Sequence, residues 1–156
     1  MPTKRDASTQ QTWFFDLSED ELSYVLLLFG ANLIPGLKEN TISQKPQAEK
    51  EISVDILQRA LLAKGYAILR ENGEWELEPT FADLVKLLVK PTYILTMNVY
   101  PGATVPPTVT VCFASPGVMI AQNFPYIYSH RFGVFFSIPD YAGDIIRLLP
   151  TTENDA

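Results

Sequence analysis

The chain has 156 residues, enough for one hydrophobic core, with 47% hydrophobic, 12% aromatic and 19% charged residues and a net charge of -6. An acidic balance without a clustered Lys/Arg footprint argues against nucleic acid as a partner. The single cysteine, Cys112, excludes a disulfide framework and a multi-Cys metal site, and no apolar run approaches a bilayer span, so a cytoplasmic protein without a membrane segment is expected.

Residues 1–11 are polar and lack periodicity, as do residues 151–156 (TTENDA), and both read as disordered tails around a single domain spanning 12–150. Residues 12–16 (TWFFD) are too short for a helix and suit a strand added to a sheet. Ser18 and Glu21 form the pattern of a capping box. Leu22, Val25, Leu26 and Phe29 then repeat at helical spacing up to Gly30, with Leu27 and Leu28 off that stripe, so the helix should be covered on more than one side. Residues 38–51 carry Lys, Glu, Asn, Ser and Gln with Ile42 as the main apolar residue, which predicts a mobile loop. A second helix is expected from near Ser53 to Gly65, with Val54, Leu57 and Leu61 on one face. Asn72-Gly73 lies between two short alternating segments, a hairpin signal, and Thr80 with Asp83 is expected to cap a third helix carrying Phe81, Leu84, Val85 and Leu88.

Residues 92–139 are the centre of the chain. Four β-branched and aromatic segments, 92–100, 107–114, 117–123 and 126–137, are separated by Pro/Gly-rich turns and predict an antiparallel meander. Alternation cannot place Phe124, Tyr126, Tyr128, Phe132, Phe135 and Phe136 on one face, so some of them must meet a second layer or a partner. Beyond Pro139, Tyr141, Ile145, Leu148 and Leu149 share the face of a last helix closed by Pro150. The fold class is therefore α+β, an antiparallel β-meander covered by helices, with a helix-hairpin-helix unit of winged-helix outline in the N-terminal half.

Little in this pattern points to chemistry. His130, the one histidine, would have to serve any triad or metal site, and its neighbours Tyr128-Ser129-His130-Arg131 read as a hairpin corner or exposed strand end. Cys112, between Val111 and Phe113 with no nearby cation, reads as a small buried hydrophobe. Glu74, Glu76 and Glu78 fit the solvent face of a strand. No glycine-rich phosphate motif occurs, and no cofactor, metal or catalytic residue is assigned. The winged-helix outline lacks basic residues, Arg59 and Lys64 being the cations of the second helix.

The order of FDLSEDELSYVLLLFG, ILQRALLAKGYAIL, ENGEWEL, FADLVKLLVKP and DIIRLLP along residues 13–150, with its AKG, NG, VKP and LLP punctuation, resembles the N-terminal half of the EspG-type chaperones of type VII (ESX) secretion. Members of that family carry two similar halves and a helical bundle, and this chain corresponds to one half. The resemblance implies a cytosolic, non-enzymatic factor that shields an aggregation-prone protein, in the family a secreted helical heterodimer. It also implies partner contacts in the loop of residues 101–107, with Tyr100, Ala103, Thr104 and Val105 as candidates. A homodimer would replace the second half, with the meander strands or Trp13, Phe14 and Phe15 at its interface. A winged-helix-like regulatory or scaffolding domain is the alternative, and a small enzyme the third.

Overall fold

The computed structural model describes residues 13–99, 102–104, 108–126 and 129–136. The expected tails and the last helix, with Tyr141, Ile145, Leu148 and Leu149, lie outside these residues. The described chain is α+β, in the order β1 (Trp13–Ser18), α1 (Glu19–Leu28), α2 (Gln47–Ala63), β2 (Ala67–Leu69), β3 (Trp75–Leu77), α3 (Pro79–Val89), β4 (Tyr93–Val99), β5 (Thr108–Ser115), β6 (Val118–Tyr126) and β7 (Ser129–Phe135). Strands β4 to β7 form the meander, and β1 joins it antiparallel to β7, giving one sheet in the order β1-β7-β6-β5-β4. Strands β2 and β3 make the separate hairpin at Asn72-Gly73.

Local chemistry sets the boundaries. The capping box forms as expected: Ser18 Oγ accepts from the Glu21 N–H (3.2 Å), and the Glu21 carboxylate accepts from the Ser18 N–H (2.8 Å). Helix α2 ends in a Schellman turn, in which Gly65 at φ +76° lets its own N–H reach Leu62 O (3.0 Å) and that of Tyr66 reach Leu61 O (2.9 Å).

Three boundaries differ from expectation. Helix α2 starts at Gln47, after Pro46, so residues 47–51 of the predicted loop are helical. What precedes it is tied down by Asn40, whose buried side chain makes four hydrogen bonds. Its Nδ2 donates to Ser23 O and Asn32 O, both at 3.0 Å, and its Oδ1 accepts from the Ile42 (3.1 Å) and Ser43 (2.9 Å) N–H groups. Helix α3 is capped by Glu78, whose carboxylate accepts from the Phe81 N–H (2.8 Å), so Thr80 lies inside the helix. Strand β6 continues through Pro125 to Tyr126 with a register shift after Asn123, where a turn was expected.

The strand register assigns side chains to two faces. Phe15, Leu17, Phe132, Val134, Ile120, Val111 and Phe113 lie on one, buried against Leu22, Val25 and Leu26 of α1 and Phe81, Val85 and Leu88 of α3. Phe15 stacks on Phe132 (4.8 Å) and meets Phe81 edge-on (5.6 Å), which joins the strand and helix layers. The other face buries Cys112, Ala121 and Phe135 at its centre. Residues 21–26 of α1 are all buried, so the helix is covered on more than one side, but Leu27 and Leu28, whose off-stripe positions predicted that cover, are themselves exposed.

Candidate protein-interaction surface

Antiparallel register brings the start of β1, the end of β7, the β5–β6 turn and the start of β4 to one end of the sheet. Large apolar side chains collect there. Trp13 and Phe136 meet edge-on (6.5 Å) yet remain 51% and 56% exposed, and Phe14 is 58% exposed. Beside them is an apolar cavity of about 370 Å³ lined by Tyr93, Pro116, Val118, Met119, Phe135 and Phe136. Pro116 and Gly117 (φ +82°) turn β5 into β6 at its rim.

Gly133 shapes the neighbouring surface. A Cβ at this position would lie 3.1 Å from the Phe135 ring and 3.3 Å from the Phe14 ring, so the missing side chain makes room for both. Alternation therefore divides the expected first-strand contacts. Trp13 and Phe14 are available at the surface, but Phe15 is 4% exposed and belongs to the core, which removes it from any interface.

The loop after β4 is at the opposite end of the sheet. Ala103 and Thr104 are exposed there; Tyr100 and Val105 fall outside the described residues. The aromatics of β7 separate as alternation demands: Phe132 lies on the helix-covered face, Phe135 on the other, and Phe136 at the exposed end. The side chains of Phe124, Tyr126 and Tyr128 are outside the described set.

His130 differs from expectation. It is buried beside Leu17, with Nδ1 2.8 Å from Gln122 Nε2, because its position in β7 points to the helix-covered face. Burial pushes its pKa below the usual imidazole value, opposed in part by the Glu19 carboxylate. Gln122 Oε1, also buried, finds no hydrogen-bond partner among the described residues. Cys112 is buried in the sheet, as expected.

Of the glutamates of the hairpin region, Glu76 lies in β3, whereas Glu74 and Glu78 flank it. Glu76 pairs with Arg70 and is held below the usual carboxylate range by that hydrogen bond. Glu78 is held low by the Phe81 and Thr80 N–H groups of the α3 N-terminus. Two cations of α2 and its end are also engaged, Arg59 with Asp55 (2.9 Å) and Lys64 with Glu21 (2.6 Å).

Among the described residues, no group of three or more His, Cys, Asp or Glu is placed to hold a metal, and no helix is long and apolar enough to cross a membrane. No protein-family model matches the chain, and no curated protein matches it.

Proposed function

We propose that this chain is a non-enzymatic protein-binding module of the cytoplasm, a relative of one half of the type VII secretion chaperones, which shields an apolar segment of a protein partner. One observation carries the reading: Trp13, Phe14 and Phe136 are each more than half exposed and stand together at one end of the sheet beside an apolar cavity. Solvent-facing aromatic clusters of this kind favour protein contacts, since rigid rings contribute large apolar area at little ordering cost. The engagement of Arg59 and Lys64 in ion pairs favours a protein partner over a phosphate backbone.

The test is recovery of a specific polypeptide from native cytosol by the tagged chain, repeated with the Trp13→Ser/Phe136→Ser variant. The expected result is at least a tenfold loss of that polypeptide with the melting temperature nearly unchanged. Equal recovery by both proteins, or retardation of duplex DNA at physiological salt with no polypeptide recovered, would overturn the reading.

A further inference from the structure

We propose that β4 is the edge along which two copies of this chain join, antiparallel and across a two-fold axis, so that two five-stranded sheets continue into one. The inference does not depend on the shielding role and concerns the side of the sheet instead of its end.

Strand β4 is an outermost strand of seven residues, Tyr-Ile-Leu-Thr-Met-Asn-Val, about 23 Å long at the usual rise per residue. Apolar side chains are exposed on both of its faces: Tyr93 (68% exposed) and Leu95 (54%) on one, and on the other Ile94, which shares its face with Thr96, Asn98 and Val109 of the adjacent strand. Among the described residues, hydrogen bonding of residues 93–98 runs to β5 alone, so the outward N–H and C=O groups are unpaired. Monomeric proteins blunt such an edge with a lysine, a proline, a bulge or a covering loop. Here there is no charge and no proline in β4, and its register with β5 is unbroken from Tyr93 to Val99.

The other edge selects a second copy as the occupant. The Asp16 N–H of β1 donates to Tyr66 Oη (3.2 Å), the Asp16 C=O accepts from Lys64 Nζ (3.2 Å) and the Ser18 N–H donates to the Glu21 carboxylate (2.8 Å), so the outward backbone of β1 from Asp16 onward is engaged by the chain itself. With β1 engaged over this half of its length, the two edges cannot pair head to tail along a full strand. The pairing that remains is β4 with β4, which is self-complementary and stops at two. Because β4 carries no charge, the net charge of -6 places no like charges opposite one another in the pair.

Light scattering at micromolar concentration tests this on the full chain. The wild-type protein is expected at twice the chain mass of 17.5 kDa. Thr96→Lys and Asn98→Lys, each at an exposed position of β4, place two lysines near one another across the axis and should reduce the mass to that of one chain. Either variant serves if the other fails to fold, with melting temperature measured on the diluted proteins as the check. Retention of partner capture by the monomeric variant would show that dimerisation and shielding are separate. A wild-type mass near 17.5 kDa would overturn the proposal, including the case in which Thr96→Lys then abolishes capture and the edge serves a strand of another protein. A dimer broken by Trp13→Ser/Phe136→Ser and untouched by the lysine variants would overturn it as well.

Discussion

The two edges of the sheet are built from the same backbone groups and are finished differently. At β1, the Schellman turn around Gly65 places Lys64 and Tyr66 against Asp16, and each is fixed a second time, Lys64 by the buried Glu21 carboxylate (2.6 Å) and Tyr66 by stacking on Phe81 (4.6 Å). At β4, among the described residues, no turn supplies a donor or acceptor to the outward backbone, and α1 to α3 leave side chains on both of its faces exposed. An edge is closed by side chains that other elements have already immobilised, so that little further entropy is lost on making the bond. Where no such element is adjacent, the strand remains available to a partner.

The largest expected contrast comes from truncating one side chain on each strand. Phe15→Ala on β1 removes a ring buried among Phe132, Phe81 and Tyr66 and should cost about 3–5 kcal/mol. Leu95→Ala on β4, by contrast, removes exposed surface and should change monomer stability by less than about 0.5 kcal/mol. Urea unfolding of both variants at a concentration that keeps the chain monomeric measures this. Similar losses at the two sites would mean that β4 is covered in the free chain and would remove the contrast.

A smaller effect is expected from the lysine that closes the β1 edge. Lys64→Ala leaves the Glu21 carboxylate buried without its cation and the Asp16 carbonyl without its donor. Loss of a partner from a fully buried ion pair costs several kcal/mol, but the Lys64 side chain is 39% exposed, so water replaces part of the interaction and about 2 kcal/mol is expected. That corresponds to roughly 4–8 °C in melting temperature for a chain of this size. Lys64→Met retains the packing of the stem and lacks the charge; if it is as stable as the wild type, the ion pair contributes nothing.

What could be read from the sequence is what depends on near neighbours. The Ser18–Glu21 capping box, the Gly65 stop and the Pro/Gly-punctuated meander each need only a few adjacent residues, and all are present. The strand before α1 was also legible, because Trp13, Phe14 and Phe15 suit a sheet and are too few for a helix. Long-range partners were not legible. Asn40 sits in a polar stretch that reads as mobile, yet its bonds to Ser23 and Asn32 bring it into the core. Glu78 and Thr80 are both acceptable helix caps, and the choice depends on where β3 delivers the chain. For the interaction surface, Trp13 and Phe14 were legible as candidates, but the gathering of Phe136 and Tyr93 at the same end required the strand register. Gly133 carries no such signal in the sequence, since a glycine within a strand marks a close approach only when the rings above it are known.

The smallest expected effect concerns pH and again separates the edges. His130 is paired in register with Leu17 of β1, while β4 contains no histidine or carboxylate. Because burial lowers the folded-state pKa of His130 below its ordinary value of 6.5, the unfolded chain binds more protons in the window between the two. The stability associated with a neutral His130 is therefore complete above about pH 6.5 and is lost as pH falls toward the folded-state value. The geometry agrees, since Gln122 Nε2 donates to a neutral Nδ1 and would oppose a protonated one. Glu78, held below its ordinary value of 4.5, acts at lower pH: its contribution is present above 4.5 and declines below it, so it does not contribute to a change between pH 7.5 and 5.5. Denaturant midpoints at pH 7.5 and 5.5 should fall for the wild type and stay level for His130→Gln. Equal falls in both proteins would show that His130 titrates without consequence for the fold. Over the same range the pairing of β4 edges should be unchanged, because no group that titrates there lies on that strand, and a dimer mass that dissolved between pH 7.5 and 5.5 in chains that remain folded would place the contact near β1.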